Sequence, residues 1–290
     1  MTFPRLILGT AALSSSYGIS NPKNDTDKLR TSELIAAAQK MEISIFDTAP
    51  TYGDAELLLG KYLEKGIAIQ VDSKVSTVDC NSFKSILSSI QLSLDQIQVD
   101  HLGVLYLHGE EALYQTNNPD LIRDLQKLRE LGHFKKIGVS IYSIEQLEKI
   151  RTHFPQIEVF QVPENICDRR LRNSKLVEEL AASGTEFVVR SIFLQGLLLM
   201  KPADVHVRMP SALPAVESLN KFAYQEKRSL TDLCLAYAMN LKWCTGVIVG
   251  AYNAQQLRQV VTPSYLLPSN WEKEVMVIPD ECIDPRKWLT

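Results

Sequence analysis

Four side chains have the types and the order to carry proton chemistry: Asp47, Tyr52, Lys74 and His108. Asp47 closes the apolar run ISIFD, and Tyr52 follows five residues on in the polar turn TAPTYGD. Lys74 closes IAIQVDSK, and His108 closes HLGVLYLH. A tyrosine ordinarily titrates near pH ~10 and is a poor acid at neutrality. A neighbouring ammonium would stabilise the phenolate and lower that value. A carboxylate paired with the lysine would keep it charged and oriented, and a neutral imidazole can hydrogen-bond a carbonyl and polarise it. Such a set suits a reaction in which a carbonyl oxygen gains a proton while its carbon receives hydride. Taken singly, each residue has a plainer reading: a helix cap, a surface phenol, a lone structural cation or imidazole at a strand end.

For the four to act together, successive strand ends must meet at one rim. Eight short apolar runs are candidate strands: 5–9, 43–47, 67–74, 101–108, 135–140, 157–162, 185–191 and 245–250. Most are nearly continuous in hydrophobicity, as expected of parallel strands buried on both faces. Amphipathic stretches lie between them. In 81–97, Phe83, Ile86, Leu87, Ile90, Leu94 and Ile97 fall at steps of three and four. Asn118 reads as a helix cap before Pro119, with Gly132 as the stop. Ser143 and Gln146 have capping-box spacing, Gly184 reads as a left-handed end to NSKLVEELAASG, and 229–241 reads as a further apolar helix.

Strand and helix alternate through nearly the whole chain without a linker or a low-complexity block. The pattern predicts an α/β fold in one domain, residues 1–290 with a tail from 262: a (β/α)8 TIM barrel, whose chemistry sits at the carboxyl ends of its strands. A doubly wound open sheet is the alternative. Against it, LILGTAALSSSYG lacks the G-x-G-x-x-G fingerprint after the first strand.

Composition narrows the function classes. The chain has 290 residues, 45% of them hydrophobic, and a formal charge of -3. That balance offers no basic stripe for nucleic acid. No apolar run approaches the roughly 20 residues needed to span a bilayer, and the N-terminus lacks the features of a signal peptide. The expectation is a cytoplasmic protein without nucleic-acid or membrane partners. Cys80, Cys167, Cys234, Cys244 and Cys282 show no C-x-x-C pairing and read as packing thiols. The five histidines show no metal-ligand spacing, and no metal is expected.

Asp47, Tyr52, Lys74 and His108, in that order and at those strand ends, resemble the tetrad of the aldo-keto reductase superfamily. LGTAALSSSYGI, FDTAPTYGDAELLLG, VDHLGVLYLHG, LRELGHFKKIGVSIYS and FQVPEN extend the resemblance over most of the barrel. The resemblance implies reduction of an aldehyde or ketone with NADP(H) or NAD(H) bound across the strand ends. Tyr52 would be the general acid, Lys74 would lower its pKa, Asp47 would anchor Lys74, and His108 would orient the carbonyl.

Cofactor contacts implied by the resemblance are Gly9, Thr10 and Asp47 at the first strand ends, with Ser140 and Gln161 at the nicotinamide carboxamide. Ser191, Phe193 and Leu194 would belong to the loop over the pyrophosphate, and Gly250, Gln256 and Gln259 to the adenosine end. Three departures stand out. Ile141 replaces the usual Asn, Arg190 stands where an aromatic often stacks on nicotinamide, and Gln256 takes the place of an arginine, which leaves NADP against NAD open. Arg258 falls on the other face of its helix. Only four residues precede the first strand, so the family's N-terminal hairpin is short or absent. Tyr17, Trp271 and Trp288 are candidate substrate contacts, with packing on the barrel exterior as the other reading of the tryptophans. Two alternatives to a reductase stand beside it: a cofactor-sensing module with little turnover, and a lyase forming a Schiff base on Lys74.

Overall fold

The computed structural model describes residues 4–13, 28–64, 66–115, 117–261 and 266–288. Eight parallel strands close in sequence order, β1 to β8, into a barrel: β1 Arg5–Gly9, β2 Ile45–Asp47, β3 Gln70–Val75, β4 Leu102–Leu107, β5 Phe134–Ser140, β6 Val159–Pro163, β7 Glu186–Arg190 and β8 Gly246–Gly250. Closure is made by β8 against β1, with Ile248 opposite Ile7 and Gly250 opposite Gly9. The open-sheet alternative is therefore excluded.

Twelve helices fill the connections among the described residues. They are α1 Lys28–Lys40, α2 Ala55–Tyr62, α3 Phe83–Ile97, α4 Glu111–Tyr114, α5 Leu121–Glu130, α6 Ile144–His153, α7 Lys175–Ala182, α8 Pro202–Arg208, α9 Leu213–Glu226, α10 Leu230–Met239, α11 Ala254–Val260 and α12 Trp271–Glu274. The caps follow local chemistry. Ser143 accepts from the Gln146 amide and Gln146 reaches back, completing the capping box of α6. Gly184 ends the α7 turn at φ 98°. At α5 the helix begins later than the sequence pattern predicts. Asn118 binds the Asp120 amide and the Asp124 carboxylate, so it shapes the approach to the helix and is not its cap.

Two apolar layers result from the alternation of side chains along each strand. Outward-facing Phe46, Phe160 and Phe187 pack between sheet and helices in the large outer core. Inward, Ile7, Ile45, Val104, Tyr106, Val159 and Val188 form a small cluster, joined by Ile248. Gly138 makes room for it, since a Cβ there would meet the Tyr106 ring at 2.5 Å. Above this plug the barrel turns polar. No strand precedes β1 among the described residues, and no described helix is long and apolar enough to cross a membrane. All five cysteines are buried and unpaired, and burial pushes the thiols of Cys80, Cys167 and Cys244 up to about 12.

Candidate active site

The four residues singled out from sequence converge at the carboxyl ends of β2, β3 and β4, on the wall of a crevice of about 440 Å³. Strand pairing does the positioning. Asp47 is opposite Asp72 and Lys74 is opposite Tyr106, so β2, β3 and β4 aim alternate side chains inward. Beyond β2, Thr48 still pairs with the Asp72 carbonyl. The chain then turns through Gly53 at φ 56° before α2. That turn carries Tyr52 over the rim.

Lys74 is almost fully buried, and its three N–H groups are all engaged. They reach both oxygens of Asp47, at 2.7 and 2.8 Å, and the Thr48 carbonyl at 2.8 Å. Asp47 accepts a further bond from Gln161 Nε2 at 2.8 Å, and the Thr10 hydroxyl donates to its backbone carbonyl. Burial alone would depress the lysine. The Asp47 carboxylate, Tyr52 and their hydrogen bonds outweigh it, and the net direction is upward. Lys74 is thus a fixed ammonium.

The Lys74 ammonium lies 5.0 Å from the centre of the Tyr52 ring, and the His108 ring meets Tyr52 edge-on at 6.0 Å. The sequence reading expects Lys74 to pull the phenol below its ordinary value. Its charge does act in that direction, but desolvation of Tyr52 is the larger effect and the net shift is upward. Tyr52 is a protonated phenol in this state. His108 goes the other way: burial, and then the Lys74 charge, push it down to about 4. It is a neutral imidazole at neutral pH, with Thr51 Oγ1 3.4 Å from Nδ1.

The rest of the crevice wall collects most of the expected cofactor residues. Gly9, Ser140, Gln161, Arg190, Ser191, Phe193, Gly250, Gln256 and Gln259 all line it. Thr10 and Leu194 do not: Thr10 sits behind Asp47, and the Leu194 side chain is buried in the outer core. Gly250 faces open space, so any Cβ there would project toward the crevice. After β7 the backbone takes left-handed values at Ser191, Leu194, Gln195 and Gly196. For the three non-glycine residues this costs of order 1 kcal/mol each. The arrangement folds the loop over the crevice, where Asn165 holds the Ser191 carbonyl at 3.3 Å. Such a cradle fits an extended phosphate-bearing ligand.

At the far end, Gln256 serves the loop itself, accepting the Tyr252 amide at 2.8 Å while Asn253 caps α11. Arg258 lies off the crevice wall, as its helix face predicts. Arg30 of α1 stacks on the Tyr252 ring with its guanidinium carbon 3.7 Å from the centroid. Neither tryptophan lines the crevice. Trp271 is buried against Tyr237, Arg169 and Arg172, and Trp288 packs on the outer core. Tyr17 lies outside the described residues. Sequence reasoning missed Tyr142 and Arg286, which also line the crevice. The only signal for Arg286 was Asp284 two residues before it in DPRKW.

The chain belongs to the aldo/keto reductase family, whose model matches residues 5–269. It is 25% identical over 97% of its length to L-galactose dehydrogenase of Arabidopsis thaliana, covering 91% of that protein. It is also 22% identical over 91% of its length to D-arabinose 1-dehydrogenase of Saccharomyces cerevisiae, covering 84% of it. The family match and the similar proteins give the class, an NAD(P)-dependent oxidoreductase. Among solved structures, glycerol dehydrogenase of Gluconobacter oxydans superimposes with a TM-score of 0.70 at 21% identity, with 94% of this chain and 90% of that one covered. That last likeness concerns the fold.

Proposed function

We propose that this protein interconverts a sugar-derived aldehyde or lactol with its reduced or oxidised partner, with Tyr52 exchanging the proton on oxygen. The observation that carries the reading is the ammonium of Lys74, tied by three hydrogen bonds and 5.0 Å from the Tyr52 ring inside the crevice. Support for a sugar comes from the names of similar proteins, which include L-galactose dehydrogenase, D-arabinose 1-dehydrogenase and L-glyceraldehyde 3-phosphate reductase.

In reduction, Tyr52 enters as a phenol and gives its proton to the carbonyl oxygen. The phenolate that remains is stabilised by Lys74, and solvent returns the proton. His108, neutral, donates one ring N–H to the same oxygen; when the Thr51 hydroxyl donates to Nδ1, the proton sits on Nε2. Asp47 keeps Lys74 in place, and Gln161 keeps Asp47 in place. The NAD(P)(H) cofactor, when bound in the crevice, would be the source or the acceptor of the hydride. Gly9, Ser140, Gly250 and the Ser191–Phe193 turn would hold the cofactor in the crevice.

A Schiff base on Lys74 would first need the ammonium to lose a proton, against the upward direction that Asp47 and Tyr52 impose; a Lys74 adduct trapped by borohydride with substrate would favour the lyase reading. A cofactor-sensing module with little turnover is separated by experiment. Tyr52→Phe is expected to lower turnover of short aldoses by about 10²–10⁴-fold while cofactor affinity, measured by fluorescence titration, stays within a factor of about 2. Equal turnover by the variant would sink the role of Tyr52. Cofactor binding by the wild type with no turnover across an aldose panel would favour the sensor.

A further inference from the structure

Two guanidinium groups flank one ring in the crevice, and only one of them has a carboxylate. Arg286 lies with its guanidinium carbon 3.4 Å from the centre of the Tyr142 ring, and Arg190 lies 4.2 Å from the same centre. Both line the crevice with Tyr52 and His108. Tyr142 is itself fixed, since Arg170, clamped on Asp168, donates to its carbonyl. Stacking on a ring uses the guanidinium faces and leaves the in-plane N–H groups for other partners.

Arg286 is neutralised by Asp284, which takes Nε at 2.9 Å and Nη2 at 2.8 Å; its Nη1 edge is left over. Arg190 has no such partner among the described residues. Its bonds go to the Ile141 carbonyl and the Ser191 hydroxyl, and its Nε is buried with no hydrogen-bond partner. The charges on the crevice wall therefore pair off, Lys74 with Asp47 and Arg286 with Asp284, except for one. Arg190 Nε is sealed from the crevice, so a ligand can meet this charge only through the Nη N–H groups that its two bonds leave over. A half-buried cation without a counter-charge is costly unless an anion supplies one. Its field also reaches Tyr52 and His108. Glu111, whose carboxylate is felt at His108 and Arg286, is not part of the wall.

Resting on the function proposed above, we infer that the substrate carries an anionic group, a carboxylate or a phosphate, which binds Arg190 and the free edge of Arg286 while the carbonyl faces Tyr52. Neutral aldoses would occupy the same crevice without this anchor.

Matched pairs test the inference: glyceraldehyde against glyceraldehyde 3-phosphate, and galactose against galacturonate, each with NADH and with NADPH. The charged member is expected to have the higher kcat/KM by a factor of about 10 or more, mostly through KM, as a charge-assisted hydrogen bond supplies. The two pairs separate phosphate from carboxylate. Arg286→Gln and Arg190→Gln are each expected to shrink that ratio, and both should weaken binding of inorganic phosphate measured by calorimetry on the cofactor-free protein. Phosphate should also inhibit competitively against the aldehyde. Neutral and charged partners used equally well would overturn the inference and leave the oxidoreductase reading intact. Phosphate competing with the cofactor alone would overturn it too, by assigning the cation to the cofactor's own phosphates. If no aldehyde is turned over, the fault lies with the function proposed above, and calorimetry still decides: phosphate binding unaffected by either variant rejects the anion site.

Discussion

Among the described residues the barrel holds two inward-facing ion pairs, one at each end, and they are built on opposite terms. At the mouth, Lys74 and Asp47 are nearly inaccessible, with side chains 1% and 6% exposed. At the floor, Lys136 of β5 bonds Glu186 of β7 with side chains 39% and 28% exposed. Water screens the floor pair, so it contributes little. The mouth pair has lost its hydration, and the Thr48 carbonyl, Gln161 and Tyr52 replace it. Pairs of that kind are poor stabilisers but stiff ones: removing one partner strands the other. The chain thus places its least replaceable charges where orientation matters and its replaceable ones where water can help.

This contrast is open to direct attack. Lys74→Met should lower turnover by about 10²–10⁴-fold and, by leaving Asp47 buried and alone, cost about 3–5 kcal/mol in urea unfolding. Lys136→Met should cost under about 1 kcal/mol and leave turnover unchanged. Equal losses at the two ends would remove the distinction. Between them lies the apolar plug, and Gly138→Ala should lower stability by about 1–3 kcal/mol because its methyl collides with the Tyr106 ring.

Proton linkage sharpens the picture further. Burial raises Asp72 to about 7, with Gln70 and the Val104 amide bonded to Oδ1. Its unfolded value is near ~3.9. The native state therefore holds the proton more tightly, and this contribution, complete below the unfolded value, is lost as pH rises through 7. Asp72→Asn keeps the acceptor and should raise the melting temperature by several degrees at pH 8, with little change at pH 4. His108, held down to about 4, has the reverse sign: its contribution is present above the ordinary histidine range and falls away as pH drops toward 4. The smallest effect expected concerns cofactor choice. With Gln256 and Gln259 on the wall and Gln256 engaged by Tyr252, NADPH should be preferred over NADH by less than a factor of about 10, and Gln256→Arg should shift the ratio toward NADPH.

Much of this was legible in the residues. Strands buried on both faces announce themselves as apolar runs, and Asp47, Lys74 and His108 were read at their strand ends because polar residues ending such runs have nowhere else to point. The start of β2 was less legible. Ile43 and Ser44 look like strand, but the Ile43 amide bonds Ala38 at the end of α1 after Glu42 takes a left-handed turn, so pairing begins at Ile45. The net direction of the Tyr52 shift was hidden because it is a contest between burial and charge, and sequence reports only the charge. The Gln161 bond to Asp47 and the Arg190–Tyr142–Arg286 stack join residues distant in sequence, and no local pattern encodes them.

The bond from Gln161 to Asp47 reaches from the sixth strand to the second. All four proton-handling groups lie on the first four strands or the turns that follow them, so a half-barrel fragment ending after His108 would contain the full reactive set. It would nevertheless lack the crossbar that holds the carboxylate. Mixing that fragment with its complementary half should restore turnover only when the two reassemble, and the Gln161→Leu version of the second half should reassemble yet recover less.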